Sequence, residues 1–309
     1  MRVRQDAWLP GEATSVDTDF TQRVEQLRHL LDGRRVIALT GAGMSTDSGI
    51  PDYRSPHAKP RTPMTIQMYM SAPEFRRHYW ARNHLGWRHM DAARPNSGHL
   101  ALTAMQRQGR LHGVITQNVD MLHIKAGSSP VIELHGSYGR VLCANCGWHV
   151  SRYRLHEMLE PLNVGFEERV RGDGAIEVAP DADMVLSETD DFTMIDCPRC
   201  GGILRPDIVY FGETVPADRV ARAYRMVDDA DAVLVLGSSL TVMSGFRFAR
   251  RAHDNGKALA VVNRGHTRAD AIADLKIDHH LSQVLTTLAG PDASQSAETA
   301  PGSVSAAAR

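Results

Sequence analysis

Five short apolar runs, each cut off by small or polar residues, constrain this chain more than any other feature. Val36 to Leu39 breaks into Thr40-Gly41-Ala42-Gly43, Val114-Ile115-Thr116 into Gln117-Asn118-Val119-Asp120, and Val131-Ile132-Glu133-Leu134 into His135-Gly136. Ala232 to Leu236 breaks into Gly237-Ser238-Ser239, and Leu259 to Val262 into Asn263-Arg264-Gly265. Runs this short and this apolar read as strands buried on both faces, which is how a parallel sheet covered by helices looks in sequence. Helical spacing appears just before the first of them: Val24, Leu27, Leu30 and Leu31 recur within Thr21 to Asp32 before Gly33 stops the pattern. In an open parallel sheet, ligands gather outside the carboxyl ends of the strands. The expected fold class is therefore α/β, a Rossmann-like parallel sheet with helices on both faces, whose five polar strand ends meet at one cleft.

The first strand end is the most telling. Glycine at 41 and 43 lets backbone amides approach a diphosphate that a Cβ would hold away, and a helix starting there would add positive potential. A G-x-G turn is also a common tight connection from strand to helix, so the pair alone does not name a ligand. Thr46 stands where a dinucleotide fingerprint has its third glycine, and no strand with an acidic end follows about 20 residues on. A dinucleotide bound here is expected to be held differently from one that passes a hydride.

With 309 residues the chain is long for one compact domain, so a main domain plus a smaller module is expected. A formal net charge of −1 offers no basic surplus for a nucleic-acid partner. No apolar stretch reaches a membrane-spanning length, and the first residues show no signal-peptide core. Asp6, Glu12, Asp17 and Asp19 arrive too early for an acid-poor transit peptide. A cytoplasmic protein with neither membrane nor nucleic-acid partners is the expectation.

The four cysteines form two pairs, Cys143-Ala-Asn-Cys146 and Cys197-Pro-Arg-Cys200, each followed by a glycine that permits a tight turn. Two disulfides or a redox C-x-x-C are the alternatives; without a secretion signal, four thiolates on one structural Zn2+ is the preferred reading. Such a site has no open coordination position, so the metal would fold its module without touching substrate. The expected organisation is a loose N-terminus over 1–20 and a main domain formed by 21–140 and 205–288. A helical insertion lies at about 56–95, a zinc module over 141–204 and a disordered tail over 289–309. The insertion is aromatic-rich, with Phe75, Tyr79, Trp80 and Trp87, and most of those rings read as its core. The proline-rich, basic stretch from Ser55 to Pro63 reads as an irregular loop able to close over a ligand.

Taken together the motifs resemble the sirtuins, the NAD-dependent protein deacylases. The matching pieces are G-A-G-M-S-T-D-S-G-I-P-D-Y-R at 41–54, T-Q-N-V-D at 116–120 and H-G at 135–136, then the two C-x-x-C pairs. P-D-I-V-Y-F-G-E at 206–213, G-S-S-L at 237–240 and V-N at 262–263 complete the set, in the family's order over about residues 25–285. The I-P-D-Y-R ending and the stretch from Ala72 to Trp87 are similar to the class II branch that includes the mitochondrial lipoamidase-type sirtuin. Tyr79 and Arg82 match the Y-x-x-R spacing with which desuccinylase-type sirtuins hold an acidic acyl group; a core tyrosine beside a surface arginine is the plain alternative.

The resemblance implies NAD as co-substrate, an acyl-lysine protein or peptide as substrate, and release of nicotinamide and 2′-O-acyl-ADP-ribose. It assigns Gly41, Ala42, Gly43 and Ser238 to the diphosphate region and Ser239, Asn263 and Arg264 to the adenosine half, with Gly237, Gly265 and Leu281 as further cofactor-binding residues. Asp120 would pair with the nicotinamide carboxamide, while Gln117, Asn118 and Val119 would border the ribose and an ordered water. Ser45, Asp52, Tyr53 and Arg54 complete the cofactor set, with Tyr53 standing where the family has phenylalanine. His135 is the expected general base, since imidazole accepts a proton near neutral pH, and Asn118 is its catalytic companion. Val209, Tyr210, Phe211, Gly212 and Glu213 would border an extended substrate peptide added as a strand. Transfer of ADP-ribose to a protein side chain, or a non-catalytic NAD sensor or zinc-ribbon scaffold, are the competing readings.

Overall fold

The structure is a computed structural model, and it describes residues 19–52, 63–171 and 189–291. In chain order the elements are α1 (Phe20–Leu31), β1 (Val36–Thr40), α2 (Ile66–Ser71), α3 (Pro73–Ala92), α4 (Ser97–Arg107), β2 (Val114–Thr116) and α5 (Leu122–Lys125). Next come β3 (Val131–Glu133), β4 (Gly136–Cys143), β5 (His149–Ser151), α6 (Arg152–Leu159), α7 (Phe166–Arg171) and β6 (Leu204–Ile208). The chain continues with α8 (Ala217–Asp228), β7 (Ala232–Leu236), α9 (Met243–Asp254), β8 (Ala258–Val262), β9 (Leu275–Ile277) and α10 (Leu281–Ala289).

Six parallel strands form the main sheet in the order β3-β2-β1-β7-β8-β9. Alternation along each strand sends side chains to opposite faces. Val36, Ala38, Leu234 and Val262 pack on one face under α1, α4 and α10. Ile37, Leu39, Val233 and Val261 pack on the other under α8 and α9. Both faces are therefore dry, which is why β1, β7 and β8 are buried at every position. The helix starts are locally fixed: Asp19 caps α1, Asn96 accepts from the amides of Gly98 and His99 at α4, and Pro73 occupies the first turn of α3.

A second, three-stranded antiparallel sheet, ordered β5-β4-β6, carries the two cysteine pairs. The sequence reading treats the helical insertion and the zinc module separately, whereas the structure joins them through one core. Tyr69, Tyr79, Trp80 and Leu85 from the insertion pack with Val141, Leu155, Phe166, Phe192 and Leu204 from the module. β9 is a sixth strand that the apolar runs did not announce, because Lys276 interrupts a segment of three residues. Pro206 sits in β6 beside a register shift in its pairing with β4, a position where the missing N–H is tolerated. The stretch 1–18, the loop 53–62, the segment 172–188 and the tail 292–309 lie outside the described residues.

Candidate functional site

Strand order places the cleft. β2 and β3 lie to one side of β1 and β7, β8 and β9 to the other, so the direction in which successive strands are added across the sheet reverses between β1 and β7, while all strands stay parallel. The loops leaving those two strands diverge there and open a crevice at their carboxyl ends. They interlock by backbone: the Gly43 amide donates to the Gly237 carbonyl at 2.9 Å, and the Gly41 amide donates to the Leu236 carbonyl at 3.0 Å. A Cβ on Gly237 would stand 2.5 Å from the Met44 nitrogen, and Gly237 has φ 58. A Cβ on Gly41 would stand 2.7 Å from the Ser238 Cβ. The glycines are thus demanded by loop-on-loop packing as well as suited to a phosphate. Two 3-10 turns, Ala42–Met44 and Thr46–Ser48, follow the loop in place of the expected α-helix start.

A polar network fills the floor of this crevice. Ser45 Oγ donates to Asp120 Oδ2 at 2.5 Å, and the Leu122 amide donates to Asp120 Oδ1 at 2.9 Å. Asp120 is only 3% exposed, and burial raises its pKa against the pull of the Ser45 hydrogen bond. Asn118 Nδ2 donates to the Gly41 carbonyl at 3.0 Å and to Ser45 Oγ at 3.1 Å, tying the β2 loop to the glycine loop. Gln117 Nε2 donates to Ser238 Oγ at 2.9 Å, which ties it to the β7 loop as well. The Val119 carbonyl accepts from Tyr138. Met121 (φ 66) and Leu240 (φ 54) hold left-handed backbone just beyond these loops, a conformation that costs of order 1 kcal/mol or more each and that the surrounding packing must enforce.

His135 lies at the edge of the network. Its Nδ1 is 2.9 Å from the Gln117 carbonyl oxygen, which only accepts, so Nδ1 carries the proton. Nε2 is then the basic nitrogen, and it faces Ser244 Oγ at 2.9 Å. Burial lowers the His135 pKa, with the charges of Arg219 and Arg247 acting the same way, while the Gln117 carbonyl opposes them. The ring is therefore neutral at pH 7 with its lone pair on Nε2. Gly136 is forced by the antiparallel neighbour: a Cβ there would lie 1.9 Å from the Asp207 carbonyl oxygen. Ser244, in the first turn of α9, was not read from the sequence, where nothing distinguishes it from other helix-start serines.

The remaining predicted residues fall in three groups. On the β8 side, Asn263 Nδ2 donates to the Arg264 carbonyl at 2.7 Å, and the buried Gly265 amide donates to Asp278 Oδ2 at 3.1 Å. Arg264 is exposed, Leu281 is partly buried at the start of α10, and the Ser239 carbonyl accepts from the Arg268 amide. Beyond β6, Glu213 makes a bidentate pair with Arg205 at 2.7 Å on both arms and also accepts from the Tyr210 amide. The Val209 amide donates to the His135 carbonyl, so this segment is anchored to the backbone of His135. Tyr210 is buried against Tyr69 and Tyr79, whereas Phe211 is exposed and its carbonyl accepts from Ile66. Gly212 follows with φ 80. On α3, the Tyr79 hydroxyl accepts from Asn83 Nδ2 at 3.1 Å, and the Arg82 guanidinium meets His78 Nε2 at 2.9 Å. Asp52 is partly buried at the end of a described stretch; Tyr53 and Arg54 lie outside the described residues.

The cysteines converge from β4, the following turn and the turn before β6. Cys143 and Cys200 sulfurs are 3.5 Å apart and Cys146 and Cys197 sulfurs 3.8 Å apart, with all four within 4.8 Å of one another. A tetrahedral zinc with bonds of about 2.3 Å sets its sulfurs roughly 3.8 Å apart, so the donor set fits that ion. All four are free thiols, and no two sulfurs are at bonding distance. A single strand, β4, runs from the residue after His135 to the first of these cysteines.

Residues 41–244 match the family model described as Sir2 family. The chain belongs to the Sir2 family. A Mycobacterium avium (strain 104) protein named NAD-dependent protein deacetylase 1 is 57% identical over 264 residues, covering 85% of this chain and 94% of its own length. A Streptomyces coelicolor protein of the same name is 47% identical over 293 residues, covering 94% of this chain and 96% of its own. Among solved structures, a Sir2 protein with a p53 peptide and NAD+ is 30% identical with a TM-score of 0.67, covering 85% of this chain and 95% of that one. The stretch matched to the Sir2 family spans the glycine loop after β1, the β7 loop and the four-cysteine cluster.

Proposed function

We propose that this protein is an NAD-dependent protein deacylase, with acetyl-lysine as its first substrate, that moves the acyl group from lysine to ADP-ribose and releases nicotinamide. The names of the similar bacterial proteins support the chemistry, and the orientation of His135 is the observation that carries it here. NAD, when bound, supplies a ribose carbon that the acyl oxygen can attack as nicotinamide leaves. The residues of the chain do the rest. Gly41, Gly43 and Gly237 let the β1 and β7 loops close on each other, and the backbone of the joined loops would border a diphosphate. Ser45, Asn118 and Asp120 form a rigid floor whose hydrogen bonds are already made, so little reorganisation is needed when a polar ligand arrives. His135 Nε2 takes a proton from a ribose hydroxyl, and its Nδ1–H is held against the Gln117 carbonyl so that the ring cannot turn over. Ser244 holds Nε2 in place before the ligand does. The four cysteines would keep a structural zinc, whose contribution is folding energy.

The finer specificity is part of the proposal. The I-P-D-Y-R ending and the stretch from Ala72 to Trp87 support a place in the class II branch and with it activity on lipoyl-lysine, while Tyr79 with Arg82 supports activity on acidic acyl groups. No described helix is long and apolar enough to cross a membrane, and four free thiols suit a reducing compartment, which supports the cytoplasm as its place of action.

The test is an acetyl-lysine peptide incubated with NAD labelled in its ADP-ribose portion. Wild-type protein should release acyl-ADP-ribose into solution, and His135→Ala should lower turnover by about 10²- to 10⁴-fold while retaining zinc and NAD binding. Label that stays on protein would favour ADP-ribosyl transfer, and unchanged turnover in His135→Ala would reject the base assignment. A panel of acetyl, succinyl and lipoyl peptides reads the acyl range, with Arg82→Met expected to slow the acidic substrates selectively.

A further inference from the structure

A second constellation of metal-ligating groups lies where α3 meets α6, apart from the cysteines. His84 on α3, His156 on α6 and Glu160 at the end of α6 place three ligand atoms within 4.8 Å of one another. His156 and Glu160 are four residues apart, so a helical turn sets them on one face, with His156 Nε2 2.9 Å from Glu160 Oε1. Two ligands bound to one ion at about 2.1 Å stand roughly 3.0–3.4 Å apart, which this pair already approaches. The His84 and His156 rings face each other, with centroids 4.7 Å apart. His84 is 3% exposed, and its Nδ1 is buried without a hydrogen-bond partner. Buried polar atoms in folded proteins are nearly always satisfied, and each exception calls for an explanation.

From this geometry we infer that His84, His156 and Glu160 form a second metal site, for a borderline divalent ion of the zinc class, that clamps the insertion helix to the cysteine-bearing module. Two positive groups are close. Arg88 pairs with Glu160 at 2.5 Å and with Glu167 at 3.0 Å, so it retains a carboxylate partner if Glu160 turns to an ion. The Arg152 charge opposes any cation. Two imidazoles beside one carboxylate suit an ion with strong bonds to imidazole, such as Zn2+, rather than Mg2+ or Ca2+, which take oxygen ligands. Waters would complete the coordination, and nothing about the site depends on the deacylase reading.

Zinc content separates this site from the cysteine cluster. The full-length protein, equilibrated at buffered micromolar free Zn2+ and analysed by mass spectrometry of the metal, should hold two ions per chain. Glu160→Gln and His156→Gln, both at partly exposed positions, should hold one. The thermal midpoint of the wild type should rise by about 5 °C at a hundredfold excess of Zn2+ over its dissociation constant, and this rise should vanish in both variants. Replacement by Co2+ reads the cysteines alone through the intense thiolate-to-cobalt absorption, which should be the same in all three proteins and shows that the variants are folded. One zinc per chain in the wild type, or a second zinc undiminished in both variants, overturns the assignment.

Discussion

The two halves of this molecule are stabilised by different means. The six-stranded sheet is held by aliphatic side chains on both faces, and β1, β7 and β8 contain no charged residue. The smaller body is held by a cysteine cluster, an aromatic core and a buried cation. Arg152 is fully buried with its guanidinium 5.7 Å from the Trp80 ring and 5.2 Å from the Trp87 ring, and its Nε donates to Asn83 Oδ1 at 3.0 Å. Burial lowers its pKa only to about 10, so it stays charged at pH 7. The contrast teaches that the cleft joins a wall fixed by apolar packing, bearing the glycine loops, to a wall fixed by metal and polar contacts. β4 bridges the two, with His135 just before its first residue and Cys143 at its last.

The strongest way to break the contrast is to remove zinc. Structural zinc sites of this type contribute on the order of 10 kcal/mol to folding, so chelation or Cys197→Ser should unfold β4 to β6 and abolish turnover. Hydrogen exchange should then show residues 136–208 unprotected while the six-stranded sheet keeps its protection; simultaneous loss everywhere would mean that the halves fold as one unit. Arg152→Met comes next. It removes the cation but leaves Asn83 Oδ1 unsatisfied in the shared core, at a cost of about 3 kcal/mol by urea denaturation. A neutral result would show that aromatic packing alone holds the small body.

Gly237→Ala attacks the apolar half at its rim. The methyl would strike the Met44 nitrogen from a left-handed position, so a loss of about 2 kcal/mol is expected together with NAD binding too weak to detect by calorimetry. Normal NAD binding would show that the loops can part at little cost. Acid should act next, through the buried His99 and His123 rings. Burial holds them neutral, at about 2 and about 4, so the unfolded chain binds more protons than the native one below about pH 6.5. The stability they contribute is present above that pH and is lost as pH falls towards 4, by up to about 3 kcal/mol per ring, and a pH series of denaturation curves reads it. The smallest effect is Ser244→Ala, expected to slow turnover only several-fold. Because burial lowers the His135 pKa, the acidic limb of the wild-type rate profile should lie below about pH 6.5, and the loss of Ser244 should move that limb.

Legibility from sequence follows the same division. The strands of the sheet announce themselves because burial on both faces leaves no room for polar residues. The exceptions are informative: Lys276 conceals β9, and Pro206 and Asp207 conceal β6, because an edge or a bulge tolerates what a central strand does not. The cysteine pairs were visible through spacing alone. The joint core of insertion and module was not, since it is built from segments about 70 residues apart, as the contact of Asn83 with Arg152 illustrates. At the cleft, residue types at strand ends were readable, but their mutual contacts were not. Ser45 on Asp120 and Ser244 on His135 are long-range pairings that no local pattern encodes.

The placement of Arg152 between Trp80 and Trp87 has an optical consequence. Two of the four tryptophans flank one fixed charge, and an indole's emission responds to the electric field across its ring. Any event that slides α6 along α3, whether a peptide settling into the cleft or an ion binding nearby, changes that field and should shift the emission spectrum. The protein thus carries an intrinsic fluorophore inside its smaller half, where the insertion helix meets the cysteine-bearing module, readable without a label.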